Sequence, residues 1–188
     1  MREILNLNTK WAFSKNVAEI PKELPQMWYW VTLPHTWNEI DGQDGGNDYY
    51  RGTCYYAKEV EKADLPAGEG NIQYYLEFRG ANSSADVYVN GKKIAHHDGG
   101  YSTWRVNVTD ALEDKNLIVI AVDNGVNDTV YPQNADFTFY GGLYRDVNLI
   151  AVPESHFDLD YYGGPGIKVT PEIKGADADV EIEVYLTG

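Results

Sequence analysis

The sequence is poor in cysteine and in basic side chains. Cys54 is the single cysteine among 188 residues, and one thiol cannot form an internal disulfide or a multi-cysteine metal cluster. Only 15 Lys and Arg stand against 29 Asp and Glu, which gives a formal net charge of −14 at pH 7. So acidic a chain has little means of releasing counterions from DNA or RNA or of binding an anionic membrane. The composition therefore argues against nucleic acid and membrane surfaces as partners.

Several other signals are missing as well. No apolar run approaches the roughly 20 residues that a membrane span needs. The first residues, Met1 to Leu5, lack the apolar stretch of a signal peptide, so we expect a cytoplasmic protein. Glycine-rich phosphate loops are absent, which argues against a nucleotide cofactor. His96 and His97 are adjacent, and neighbours on a strand point to opposite faces, so they make a poor metal site. We expect neither a cofactor nor a metal.

What the sequence does contain is alternation of apolar and polar residues with a period of two. Residues 71–78, 85–89, 104–108 and 157–161 each show it, as half-buried antiparallel strands do. Residues 117–122 are instead apolar throughout, which predicts a central strand that is covered on both faces. Helical periodicity is nearly absent. Many short strands between Gly, Pro and Asn clusters predict an all-β chain, a jelly-roll β-sandwich.

The turn signals divide the chain. Asn90-Gly91 predicts a type I′ hairpin, because both central positions of that turn need positive φ. We place one domain over residues 1–153, up to a break at Val152-Pro153. Residues 154–188 contain a Gly163-Gly164-Pro165 turn and two further strands. Since two strands cannot form a core of their own, we expect this part to be a linker and the start of a truncated second domain.

The functional signal lies in two loops, residues 44–51 and 127–145, where aromatics, carboxylates, amides and glycines occur together. This combination suits sugars, because hydroxyls pair with carboxylates or amides and the C–H face of a pyranose packs on an aromatic ring. The alternative is that the tyrosines only cover a sandwich surface. Glycoside hydrolysis by the chain alone would need two carboxylates about 5 to 9 Å apart, and none of the acidic residues lies in a recognisable catalytic setting.

Five stretches carry a more specific pattern: residues 30–38, 50–56, 87–101, 116–124 and 136–147. In order and spacing they resemble the N-terminal sugar-binding jelly-roll domain of family 2 glycoside hydrolases, most closely the β-galactosidases. The last stretch, Asp136-Phe-Thr-Phe-Tyr-Gly-Gly-Leu-Tyr-Arg-Asp-Val147, is the most specific. The likeness covers the chain from about Leu5 to Val152.

The resemblance implies a larger enzyme, in which an immunoglobulin-like domain and a TIM barrel follow the jelly roll. Residues 167–186 would then be the opening strands of the immunoglobulin-like domain. Both catalytic carboxylates of the retaining mechanism would lie on the barrel, so we expect this chain to be inactive by itself. Its role would be to contribute a loop to the hydrolysis of terminal β-galactosides. A β-glucuronidase or β-mannosidase shares the scaffold, a stand-alone carbohydrate-binding module is the alternative, and a homo-oligomer stays open.

The resemblance also implies particular contacts. Asp136 matches by position the family's aspartate that contacts the sugar. Asn47 or Asp48 matches a second polar contact, from the loop that precedes the strand containing Cys54. For Arg145 and Asp146 we expect a structural role, as a charge-assisted pair that anchors the loop at the start of a strand.

Overall fold

The computed structural model describes residues 2–41, 49–131, 133, 135 and 137–188, and this part of the chain is built from strands. Its helices are two 3₁₀ turns of three residues, Lys62–Asp64 and Thr109–Ala111, and neither is long enough to cross a membrane. The all-β prediction is confirmed.

Fourteen strands lie within the described ranges. They are β1 Glu3–Asn6, β2 Trp11–Lys15, β3 Tyr29–Val31, β4 Thr53–Glu61, β5 Ile72–Phe78, β6 Ser84–Val89, β7 Lys92–Asp98, β8 Trp104–Asn107, β9 Lys115–Asp123, β10 Val147–Pro153, β11 His156–Phe157, β12 Ile167–Lys174, β13 Asp177–Val184 and β14 Leu186–Thr187.

The first ten strands form a sandwich of two antiparallel sheets. One sheet has the order β1-β10-β5-β8 and the other has the order β3-β2-β4-β9-β6-β7. Their inner faces share one large apolar core, in which Trp11, Tyr56, Phe78, Ile120 and Leu149 are almost fully buried. The chain crosses repeatedly between the sheets, because β1, β5, β8 and β10 of the small sheet alternate along the sequence with strands of the large one. The predicted jelly-roll sandwich is confirmed.

The apolar run predicted as a central strand is β9, which pairs with β4 on one side and β6 on the other. Ile118, Ile120 and Val122 face the main core, whereas Leu117 and Val119 face a second apolar cluster on the outside of the sheet. Both faces are therefore covered, which explains why this strand does not alternate.

The predicted hairpin turn is confirmed, and the one cysteine is a core residue. Asn90 and Gly91 have φ of 52° and 79°, as a type I′ turn requires, and they join β6 to β7. Cys54 lies fully buried in β4, and burial raises the pKa of its thiol to about 12. A thiol in this environment stays protonated and is a core residue, not a nucleophile.

The predicted strand over residues 157–161 is largely wrong. Only His156–Phe157 is a strand, β11, and it pairs with β14. Leu159 is buried in a different way, because it packs on the outer face of the four-stranded sheet against Tyr75, Ile150 and Val152. Alternation in the sequence showed which side chain becomes buried, but not whether the backbone has a partner strand.

A buried ion pair fixes this linker segment to the sandwich. The Arg105 guanidinium on β8 lies 2.7 Å from the Glu77 carboxylate on β5, and both side chains are buried. Arg105 also donates to the carbonyls of Leu159 and Gly164, each at 2.9 Å. The Asn148 amide completes the site at 3.1 Å from Glu77. The charge pair and Asn148 thus connect β8, β5 and β10 of the small sheet to the chain that follows it.

The last part of the chain forms the predicted pair of strands, a hairpin of β12 and β13 with its turn at Gly175. Residues that pair across the two strands share a face. One face is apolar throughout and exposed, and consists of Ile167, Val169, Pro171, Ile173, Ala178, Val180, Ile182 and Val184. A two-stranded ribbon with such a face is at best marginally stable alone. The division of the chain at residue 153 stays a prediction.

Candidate functional site

The predicted contacts Asp136, Asn47 and Asp48 lie outside the described residues. The residues that follow Asp136 in its loop are described, and together with residues of other loops they form a cleft at one end of the sandwich with a volume of about 520 Å³. That volume lies within the roughly 300 to 1,000 Å³ typical of small-molecule sites. We call it the aromatic cleft, and it is lined by Thr36, Glu39, Asn82, Tyr101, Phe137, Thr138, Tyr140 and Tyr144.

Aromatic rings form the framework of this cleft. Tyr101 lies 4.9 Å from Tyr131, Tyr131 lies 5.7 Å from Phe139, and Phe139 lies 4.8 Å from Phe137, measured between ring centroids. We refer to these four rings as the ring stack. Tyr144 meets Tyr101 edge-on at 6.4 Å, and its hydroxyl donates to the carbonyl of Gly100. The rings therefore support one another at separations favourable for aromatic pairs.

Asn82, at the start of β6, connects the loops around the aromatic cleft. Its amide nitrogen donates to the carbonyl of Tyr140 at 2.6 Å, and its amide oxygen accepts from the hydroxyl of Tyr131. Its backbone pairs with Gly142 in an isolated β-bridge. A single buried amide thus fixes two aromatic residues and the loop before β10.

A second buried amide, Asn38, joins this loop to the loop before β4. Its side-chain oxygen accepts from the backbone N–H of Gly141 at 2.8 Å and from the amide of Asn124 at 3.2 Å. Its nitrogen donates to the Asp41 carboxylate at 2.7 Å and to the Tyr50 carbonyl at 2.9 Å. Asn38 itself is fully buried and all four of its hydrogen bonds link the two loops or their supports, so it determines how the loops meet.

Asp41 stays ionised in this network. Burial alone would raise the pKa of its carboxyl, but hydrogen bonds from the Tyr50 backbone N–H and the Asn38 amide outweigh burial and hold the pKa below its usual value. Asn124 extends the network, because its amide also donates to the carbonyls of Tyr50 and Phe139. The two loops whose composition suits sugar binding are therefore connected by hydrogen bonds of the Asn38 and Asn124 side chains.

The loop before β10 packs closely against residues 35–37, and this packing requires glycine at positions 141 and 142. A Cβ atom at position 141 would overlap the indole of Trp37. Gly142 has φ of 130°, and a Cβ there would overlap the carbonyl oxygen of His35. Only glycine lets the loop lie this close to residues 35–37.

Replacing Asn38 by alanine should destabilise the domain and loosen both loops. Each buried polar group that loses its partner costs about 1 to 3 kcal/mol, and the substitution removes partners from Gly141, Asn124 and Asp41. We expect the free energy of unfolding, measured by urea denaturation, to fall by at least about 2 kcal/mol. Asn71→Ala, which removes an exposed amide, is the matched control and should change it by under about 0.5 kcal/mol. Equal stability of the two variants would contradict the role given to Asn38.

Arg145 and Asp146 both lie in the loop before β10, but their side chains contact different groups. Arg145 donates to the carbonyls of Tyr101 and Arg79, at 2.9 and 3.2 Å. Asp146 accepts from the Asn8 amide at 2.8 Å and lies 3.6 Å from the Arg79 guanidinium. The expected pair between them is therefore wrong. Arg145 reaches the aromatic cleft through Tyr101, which the sequence did not indicate.

The sequence also missed the buried amides. Asn38, Asn82 and Asn124 are all buried, and each contacts the loop before β10. Asn38 and Asn124 occur within the stretches that carry the family resemblance, which was the one available signal for them. A jelly-roll sandwich with aromatic, amide-rich loops at one end defines a carbohydrate-binding type of domain.

Comparison with known protein families identifies the family to which this domain belongs. Residues 39–153 match the family model described as "Glycosyl hydrolases family 2, sugar binding domain". The chain belongs to this family, as the sequence pattern predicted.

The relatives are glycosidases of greater length. A β-glucuronidase of Bacteroides fragilis is 33% identical over 98% of this chain, and a β-galactosidase of Thermoanaerobacter pseudethanolicus is 25% identical over 100% of it. The chain spans only 28% and 25% of these two proteins. The crystal structure of an FMN-binding β-glucuronidase from Facaelibacterium prausnitzii L2-6 superposes with a TM-score of 0.88 at 44% identity, covering 100% of this chain and 28% of that one.

Proposed function

We propose that this chain is the sugar-binding domain of a retaining β-glycosidase and that it supplies its loop before β10 to an active site whose catalytic carboxylates lie on another domain. The anchored loop carries this proposal. Gln133 donates to Ser83 at 2.8 Å on one side of Asp136, and Gly141 is held by Asn38 on the other. Asp136 thus belongs to a short segment whose two ends are fixed in the interior of the sandwich.

The chemistry proposed for Asp136 is binding and orientation of the sugar. A carboxylate accepts hydrogen bonds from two sugar hydroxyls, and such bonds can strengthen as the ring approaches its oxocarbenium-like transition state. Covalent catalysis would come from the barrel, so the chain alone has no hydrolytic activity in this account. Asn47 or Asp48 remains the proposed second polar contact.

The comparisons favour a β-glucuronide as the substrate over the β-galactoside that the sequence pattern suggested. Relatives named β-glucuronidase reach 33% and 44% identity, against 25% and 28% for two β-galactosidases, while one structure named "putative beta-galactosidase" also reaches 33%. The β-galactoside remains the second candidate, because the Tyr140-Gly-Gly-Leu-Tyr-Arg-Asp-Val147 stretch was matched to the β-galactosidases. FMN is named in one of the structures compared above, and the expectation of no cofactor for this chain stays a prediction.

A substrate panel tests this function. The full-length enzyme is expected to hydrolyse 4-nitrophenyl β-glucuronide with a kcat/KM at least about 100-fold above that for the β-galactoside, because a site with buried polar groups rejects a sugar that leaves them unpaired. Residues 1–188 alone should hydrolyse neither. Preference for the galactoside would select the second candidate, and millimolar or tighter sugar binding by the isolated chain without any hydrolysis by the longer protein would favour the stand-alone module.

The hairpin of β12 and β13 fits the same proposal. Its apolar face is exposed, while its other face carries charged pairs such as Lys168–Glu183 at 2.5 Å. A face of this kind becomes stable when further strands or a second sheet cover it. We therefore assign it to the first strands of an immunoglobulin-like domain, whose remaining strands would cover the apolar side.

A further inference from the structure

We propose that the aromatic cleft binds the leaving group of the substrate and favours glycosides whose aglycone is an aromatic ring. This inference rests on the proposed function, since it assumes that the loop before β10 lies at an active site. Three aromatic side chains of the cleft are open to solvent: Phe137 is 61% exposed, Tyr101 is 53% exposed and Tyr140 is 41% exposed. A concave surface with three exposed rings is suited to a flat apolar group.

The cleft is already formed before a ligand enters. Phe137 and Tyr101 are the two ends of the ring stack, and Phe139 behind Phe137 is buried. Tyr131, between Phe139 and Tyr101, is held by its hydrogen bond to Asn82. Binding an aromatic group therefore needs little ordering of side chains, which lowers its entropic cost.

The place of the cleft residues in the sequence indicates that the cleft binds the leaving group and not the sugar that Asp136 contacts. The glycosidic bond joins the two directly, so their binding subsites must be adjacent. Phe137 follows directly after Asp136, the residue proposed to contact the sugar. The exposed rings of the cleft offer stacking surface more than hydrogen-bond acceptors, which suits an aromatic aglycone better than a second sugar.

The test compares phenyl and methyl glycosides of the preferred sugar in the full-length enzyme. In Phe137→Ala, the loss of kcat/KM with the phenyl glycoside should exceed the loss with the methyl glycoside by about 5- to 30-fold, since only the phenyl group can stack on the cleft. Tyr140→Ala is a second variant with the same expected direction. Tyr29→Ala removes an exposed ring outside the cleft and should leave the ratio unchanged. Thermal unfolding of each variant checks that the fold is retained.

Equal losses on phenyl and methyl glycosides in Phe137→Ala, or no loss on either, would overturn the leaving-group assignment while the proposed function stands. A wild-type enzyme that hydrolyses no glycoside would overturn both.

Discussion

Replacing Asp136 by alanine in the full-length glycosidase is expected to lower kcat/KM by about 100- to 1,000-fold while the domain stays folded. The reason is that the carboxylate would hold sugar hydroxyls whose hydrogen bonds strengthen in the transition state. Their loss therefore reduces turnover and not only affinity. The described anchors of the loop, at Gln133 and Gly141, are untouched by the substitution.

Two further variants test whether Asp136 binds the sugar or only supports the fold. Asp136→Asn keeps the shape and one acceptor oxygen but removes the charge, and should recover part of the activity. Asp110→Ala removes an exposed carboxylate at the 3₁₀ turn after β8 and should leave kinetics unchanged. Wild-type kinetics in Asp136→Ala, with an unchanged thermal midpoint in all three variants, would refute the assignment of Asp136.

The second large effect concerns stability. Arg105→Met should lower the free energy of unfolding by about 2 kcal/mol or more, because buried Glu77 loses its 2.7 Å partner and keeps only the more exposed Arg79 at 3.3 Å and Arg2 at 3.8 Å. The substitution also removes the donors to Leu159 and Gly164, so amide hydrogen exchange around residues 156–166 should accelerate. Urea denaturation and exchange together measure both consequences.

A double variant provides the control. Arg105→Met combined with Glu77→Leu removes both charges, and replacement of a whole buried pair by apolar groups is often neutral. We expect the double variant to be more stable than Arg105→Met alone. A single variant as stable as the wild type would show that the pair does not support the fold.

The Arg105–Glu77 pair should also make the stability of the domain depend on pH in the acidic range. Burial would raise the pKa of Glu77, but hydrogen bonds from Asn148 and Arg105, and the charge of Arg105, outweigh burial and lower the pKa below its usual 4.5. A carboxyl whose pKa is lower in the folded state stabilises the fold above its unfolded pKa, and this contribution is lost as the pH falls through the folded pKa. The expected loss of stability therefore begins below about pH 4.5.

The sequence predicted what local patterns can encode. The apolar run of β9, the Asn90-Gly91 turn and the strands of the final hairpin all follow from a few neighbouring residues, and all are confirmed. The position of the functional loops followed from composition and from the family resemblance. These features need no knowledge of what lies across the sandwich.

The remaining features depend on distant partners. Glu77 alternates with core residues, so the sequence places it on the outer face of its strand, yet the linker that contains Leu159 covers that face and buries it. Asn38 contacts Gly141, 103 positions away, and no local pattern distinguishes it from an exposed asparagine. Such contacts become visible only when both sheets and their connecting loops are in place.

The central claim is that the loop before β10 contacts the sugar in the active site of a larger glycosidase. A crystal structure of the full-length enzyme with a sugar or a sugar-like inhibitor bound at the catalytic carboxylates tests it most directly. We expect a carboxylate oxygen of Asp136 within about 2.5 to 3.0 Å of a sugar hydroxyl oxygen. A sugar held there entirely by other domains, with residues 133–144 out of contact, would contradict the account.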